Sequence, residues 1–281
     1  FSKYSDIEDS GLGLFLRART DGGLSTLTWR RLIGDGGDQP GDGDRKYNQV
    51  KYESPEIAGF TASGTWGQDD FWDVSLRYAG ELGDFKIAAG LGYGEQRDGT
   101  DTNISCNATI AGNQDCNQLG GSISVLHEPT GLFVNVGAGT KTDNLIEETV
   151  RFAGTGVDDG QDFWAIQAGI ERKLTSFGKT TLYGEYYAYD GGGNARQTVA
   201  AADPINPLAA DATIWSTRVE SFGAGIAQGF DSAALIVYLQ YRHVEADLTL
   251  RALEGGVASG QFDSAPLEDL DIVFTGAMIR F

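Results

Sequence analysis

The sequence predicts an all-β fold, a transmembrane antiparallel β-barrel. Three observations point there. Apolar and polar residues alternate at period two through most of the chain, aromatic residues bracket the apolar stripes, and the connections are short at one end and long at the other.

The alternation is clearest in Trp72-Asp73-Val74-Ser75-Leu76-Arg77-Tyr78, where Trp72, Val74, Leu76 and Tyr78 share one face and Asp73, Ser75 and Arg77 the other. Successive strand side chains point to opposite faces, so each face meets a different solvent. Phe85, Ile87, Ala89, Leu91 and Tyr93 form a second stripe, and Phe60, Ala62, Gly64 and Trp66 a third. Trp72 and Tyr78 bracket one stripe, and Phe85 and Tyr93 another. Girdles at two membrane interfaces produce this arrangement, whereas a soluble sandwich would put its aromatics mid-strand. Strands are expected at about 45–53, 59–66, 71–79, 84–94, 118–127, 131–141, 162–173, 178–189, 214–227, 232–248 and 269–281. Short turns fall at 54–58, 80–83, 128–130, 174–177 and 228–231. Long loops cover about 95–117, 142–161, 190–213 and 249–268, and only 67–70 is short on the long side. A sandwich has no reason to sort loop length by end. The last strand alternates back from Phe281 through Ile279, Ala277, Thr275 and Val273, with Arg280 on the other face.

Composition narrows the class. The chain has 281 residues and a formal charge of −19, which argues against a nucleic-acid partner because phosphate neutralisation needs basic surface. Glycine is abundant, at 40 residues, but proline is only 6, so this is not a disordered Pro/Gly chain. The longest apolar stretch, 233–239, is far short of the roughly 18 residues of a membrane helix. Barrel strands need no such run.

The segments Asn48-Gln49-Val50-Lys51-Tyr52-Glu53-Ser54-Pro55-Glu56-Ile57-Ala58-Gly59-Phe60-Thr61 and Ala62-Ser63-Gly64-Thr65-Trp66-Gly67-Gln68-Asp69-Asp70-Phe71-Trp72-Asp73-Val74, with the terminal strand, resemble the Gram-negative general porins of the alphaproteobacterial type. The resemblance runs from about residue 10 to 281 and is weak in the long loops. It implies a sixteen-stranded barrel when complete, a homotrimer in the outer membrane, and a loop folded inward to narrow a water-filled channel for small hydrophilic solutes and ions. About 11–13 strands are expected in this chain, so the resemblance implies a fragment lacking its first strands. In the alternative, 12–19 and 23–31 form an extra hairpin and the barrel is smaller. The organisation expected is an inward-folded constriction loop and its approach at 1–44, then the barrel at 45–281.

Within that frame, Arg17, Arg19, Arg30 and Arg31 are expected on the positive side of the constriction, and Asp35 and Asp38 on the negative. Fixed charges facing each other across a narrow channel sort solutes by charge. The plainer reading is solvated loop charge. Lys51, Asp73, Arg77, Lys86, Glu171, Glu185, Arg242 and Arg280 fall on the polar register and are expected on the lumen-facing wall. A mid-bilayer charge facing lipid would cost about 2–4 kcal/mol. Cys106 and Cys116 share one long loop, and at an oxidising cell surface they form a disulfide. No cofactor is expected. The acidic stretches 34–38 and 158–162 offer carboxylates of the kind Ca²⁺ takes, though neither matches an EF-hand and solvated turns are the commoner outcome. Divalent cations would bridge acidic loops to lipopolysaccharide phosphates. An enzyme is not expected. A lipase-like barrel needs a nucleophile beside an oriented base, and His127 and His243 are the only histidines. An adhesin or lectin role is the other alternative.

Overall fold

Residues 16–33, 48–99, 106 and 108–279 are described by a computed structural model of the chain. Two short strands, β1 (Arg17–Thr20) and β2 (Gly23–Thr28), form a hairpin that runs into a single helical turn, α1 (Trp29–Leu32). The remaining strands are β3 (Gln49–Glu53), β4 (Phe60–Gly67), β5 (Trp72–Leu82), β6 (Phe85–Gln96), β7 (Cys116–His127), β8 (Leu132–Asp143), β9 (Gly160–Thr175), β10 (Gly178–Gly191), β11 (Thr198–Val199), β12 (Ala212–Phe230), β13 (Leu235–Ala252), β14 (Phe262–Ser264) and β15 (Leu270–Ile279). These 13 strands make one antiparallel sheet. β11 and β14 are short flaps on β12 and β13, which leaves eleven strands in the wall.

The wall is a meander from β3 to β15 in which each strand pairs with its sequence neighbour once the flaps are set aside. Connections of this kind preserve antiparallel pairing throughout. With an odd number of described strands, β3 and β15 at the two edges run in the same direction. Antiparallel closure of this wall requires an odd number of further strands between them.

Cross-strand register separates the faces. One row runs Phe60, Tyr78, Ala89, Ile123, Val136, Ile166, Tyr186 and Phe222. This row and its parallels carry the large exposed apolar side chains: Val50, Trp66, Val74, Leu76, Leu91, Ile123, Trp164, Leu239 and Val273 among them. A belt of large apolar side chains running across successive strands is not what a soluble monomer exposes, and lipid is the solvent that accommodates it. Aromatic pairs lie at both margins. Phe60 and Tyr78 pack at 4.8 Å near the short turns, and Trp72 with Tyr93 at 5.5 Å and Trp164 with Tyr186 at 5.0 Å near the long loops. The opposite row runs Ala79, Ala88, Ser124, Asn135, Gln167, Glu185, Gly223 and Arg242. Tyr183 lies flat across this inner face, so close to Gly225 that a Cβ there would come within 2.4 Å of the ring.

Several boundaries differ from expectation. β5 runs to Leu82, β9 to Thr175 and β12 to Phe230. The expected turns at 80–83, 174–177 and 228–231 therefore shrink or move, because hairpin pairing continues past the last alternating residue. The start expected at 232 instead holds a 3-10 turn, Asp231–Ala233.

The hairpin β1–β2 is not part of the wall. It forms its own two-stranded sheet, so an extra hairpin adding strands to a smaller barrel is not what these residues build. It packs instead on the inner face. Ala18, Leu27, Trp29, Leu32 and Ile33 share an apolar cluster with inward-register residues of the wall, including Phe163, Tyr187, Val219, Val244 and Leu248. At the long-loop end, Ala108, then Ile146, Phe152 and Val157, and Ala258, from three separate loops, make a second, smaller core.

Candidate functional site

The hairpin is amphipathic at strand period. Ala18, Thr20, Ser25 and Leu27 are buried towards the wall, while Arg17, Arg19, Leu24 and Thr26 alternate on the more exposed side. The pair Arg17 and Arg19 therefore shares the face turned from the wall, as spacing by two requires. Arg17 Nε donates to the Ser25 carbonyl across the hairpin. Arg19 Nε lies 3.2 Å from Glu268 Oε2, and the Glu268 N–H donates to the Arg19 carbonyl at 2.8 Å. This pair is largely exposed and stabilises by less than about 1 kcal/mol. Trp29 N donates to Leu16 O at 3.1 Å, which folds the helical turn back on the start of β1. Arg31 is half-buried on that turn rather than on an extended loop. The side chain of Arg30, and Asp35, Asp38 and the acidic stretch 34–38 as a whole, lie outside the described residues.

The wall charges gather into small ion-paired groups. Lys51, Asp73 and Arg77 occupy the inward register on β3 and β5. Glu53 serves both Lys51, at 3.6 Å, and Arg77. Near the short turns Lys86 pairs with Glu128 at 2.7 Å and Glu81 at 3.6 Å. Glu171 pairs with Lys179 at 2.9 Å. A concavity of about 580 Å³ opens on this part of the wall, lined by Glu81, Lys86, Ser124, Asn135 and Glu171 among others. Arg280 lies outside the described residues.

Glu185 and Arg242 take the inward register but do not line open water. Their side chains are 10% and 4% exposed. Glu185 Oε1 accepts from Arg242 Nε at 3.0 Å and Nη2 at 2.6 Å, and from the Gln240 amide. Gln167 Nε2 donates to Glu185 Oε2 at 3.2 Å, and Asn135 Nδ2 to Gln167 Oε1 at 3.1 Å. The Arg242 guanidinium also stands 5.6 Å from the Phe274 ring. Burying such a pair demands nearly complete hydrogen bonding, and the amides supply it. Alternation fixed which way these residues point, but not what surrounds them.

Cys106 and Cys116 are joined by a disulfide, Cα–Cα 6.0 Å, packed with Phe71. In the stretch 158–162, Asp158 Oδ1 accepts from the backbone N–H of Gly160 at 2.8 Å, closing a local turn. Among the described residues no group of three or more His, Cys, Asp or Glu is arranged to hold a metal ion. His243 sits on the outward register, with Nδ1 2.8 Å from Asp271 and Nε2 3.1 Å from Glu245. His127 Nδ1 is 2.7 Å from the Thr130 hydroxyl within its own turn.

Sequence reasoning missed the apolar inner patch. A signal was present: between 183 and 189 the tyrosines at 183, 187 and 189 fall on the inward register, while Leu182 and Tyr186 are apolar on the outward one. A strand apolar on both faces needs a cover on each. It also missed Asp203, whose Oδ2 accepts from Thr26 N at 2.8 Å and Thr26 Oγ1 at 2.5 Å. No periodicity marks a loop carboxylate for that contact.

Comparison with known proteins bears on the same residues. No curated protein matches the chain. Solved structures similar to it include outer-membrane expressed OmpT of Vibrio cholerae, at 15% identity, covering 82% of this chain and 62% of that one, TM-score 0.42. OccAB3 of Acinetobacter baumannii follows at 9% identity, 85% and 59% coverage and TM-score 0.44. The anion-selective porin from Comamonas acidovorans matches at 14% identity, 81% and 59% coverage and TM-score 0.40. The chain thus spans less than two thirds of the length of each. The profile of one family, described as Gram-negative porin, matches residues 9–252, which takes in the inward-packed hairpin and the wall from β3 through β13. An oil-facing belt around a polar inner face is what that family requires of its strands, and the chain belongs to the Gram-negative porins, proteins of the outer membrane.

Proposed function

We propose that the protein forms a water-filled channel for the passive diffusion of small hydrophilic solutes and ions. The observation that carries this reading is the amphipathic hairpin packed on the inner face of the wall, with Arg17 and Arg19 on its far side. A segment in that place narrows the bore without sealing it, and its cations act where the field is least screened by water. Residues 1–44 serve as the constriction and its approach, and 45–281 as the wall. Arg17, Arg19, Arg30 and Arg31 supply its positive side, and Asp35 and Asp38 the negative. Lys51, Asp73, Arg77, Lys86, Glu171 and Arg280 line the wall, with the enclosed Glu185–Arg242 pair bracing it. The protein works as a homotrimer in lipid and lipopolysaccharide, its acidic loops bridged to phosphates by divalent cations such as Ca²⁺.

Enzymatic action is disfavoured. His243 faces outward rather than into the concavity, its ring nitrogens 2.8 Å from Asp271, 3.1 Å from Glu245 and 3.9 Å from Asp269. The test is single-channel recording in planar bilayers, with the reversal potential measured under a salt gradient. Discrete ohmic steps are expected, with Arg17→Ala and Arg19→Ala shifting the reversal potential towards cation preference. A bilayer that stays silent at saturating protein contradicts the reading.

A further inference from the structure

Apolar contact holds the hairpin against the wall, but apolar contact is non-directional and tolerates sliding. A directional contact must fix how far the hairpin stands into the lumen. Asp203, in the connection between β11 and β12, is built for this. Its Oδ2 accepts from both the N–H and the hydroxyl of Thr26, across 177 residues of sequence. The residue is 6% exposed. Burial alone would raise its carboxyl pKa, but hydrogen bonds from the Thr26 and Ser25 side chains and from backbone N–H groups outweigh that and hold it below the ordinary carboxylate value.

The seat under Asp203 is rigid. Asn206 Nδ2 donates to the carbonyls of Val199, Ala200 and Ala210 at 3.3, 3.0 and 3.0 Å, and its Oδ1 accepts from Leu208 N at 3.0 Å. These bonds tie 199–210 into a knot. Val199, Ile205 and Leu208 of that knot join the same apolar cluster as Leu27 and Trp29. The second tie holds β1 rather than β2: the Glu268 N–H donates to the Arg19 carbonyl at 2.8 Å, and the exposed Arg19–Glu268 ion pair adds only a loose tether.

We propose that Asp203 is the positioning residue of the constriction: through Thr26 it fixes the depth of the hairpin and hence the bore. This rests on the channel reading above. It is tested in the full-length protein by bilayer recording of Asp203→Ala, Asp203→Asn and Thr26→Val, with amide hydrogen exchange at Thr26 alongside. Asp203→Ala is expected to raise conductance and open-channel noise and to speed Thr26 exchange about tenfold, the loss of a charge-assisted bond. Asp203→Asn, which keeps an acceptor, falls between. Thr26→Val in the Asp203→Ala background adds nothing further, because the contact is already gone. Glu147→Gln, which removes the same charge from an exposed loop site, leaves the conductance unchanged. If Asp203→Ala does not fold, the pair Thr26→Cys and Asp203→Cys decides: oxidised, it gives wild-type conductance, and reduced, a larger and noisier one. A conducting wild type whose conductance and noise survive Asp203→Ala, or the reduced cysteine pair, overturns the positioning role alone. A silent wild type overturns the channel reading and this proposal with it.

Discussion

Neighbouring residues on one strand carry the sharpest contrast. Val74 is half exposed on the outward belt, and Ser75 points inward with its hydroxyl 2.7 Å from that of Ser63. Val74→Arg is expected to destabilise the protein by about 2–4 kcal/mol, the penalty for a basic group facing lipid at the midplane. Ser75→Arg loses one hydrogen bond, about 1 kcal/mol, and leaves the arginine in water. Denaturant unfolding from lipid vesicles separates the two, and equal costs would contradict the register. Asp203 gives a pH prediction. Its folded carboxyl titrates below the ordinary value of 3.8, so its contribution is fully present above that value and lost as pH falls through the folded one. Protection of the Thr26 amide, corrected for intrinsic exchange, should hold from neutral pH down through the ordinary carboxylate value of 3.8 and fall only below it. Loss already at neutral to mildly acidic pH would place the latch elsewhere. At this scale the sequence was legible for direction and not for company. Lys51, Asp73 and Arg77 could be turned inward by parity, but the burial of Glu185 and Arg242 depends on Gln240, which shares β13 with Arg242, and on Gln167 of β9 and Phe274 of β15.

Strands and their connections were the most readable elements, because two solvents on two faces impose period two wherever a strand crosses. Eleven strands were expected and eleven make the described wall. The hairpin was harder. Arg17 and Arg19 marked an extended segment, but its partner was an inner patch spread over β9, β10, β12 and β13, which local pattern does not reveal. The loops were read only by length, since their small core gathers five side chains from three loops far apart in sequence. The disulfide pins one of them: it closes a short loop, sequence separation 10, and such a closure is worth roughly 2–3 kcal/mol. Cys106→Ala with Cys116→Ala should loosen the loop locally, seen as faster exchange of the Ala108 amide, which now donates to Asp143 Oδ2 at 2.7 Å. Exchange within β6 and β7 should not change. Global unfolding of the double variant would show the loop to be part of the wall's stability.

For the molecule as a whole, the edges set the constraint. Among the described residues β3 and β15 are the two edges of the wall and run the same way, and lipid does not tolerate open sheet edges. An all-antiparallel closure places an odd number of strands between them, a condition that the sixteen strands implied by the resemblance satisfy. Paired cysteines at Val50 and Val273 should therefore fail to cross-link directly in the assembled protein, and efficient cross-linking would mean a parallel seam. The wider account depends on lipid lying outside the wall and water within it. Spin labels placed singly at each residue from 72 to 78 in the full-length protein, reconstituted in vesicles, test this most directly. The labels at 72, 74, 76 and 78 are predicted to collide with oxygen dissolved in the bilayer, and those at 73, 75 and 77 with a water-soluble nickel chelate. A uniform response to the aqueous reagent along the whole strand would contradict it.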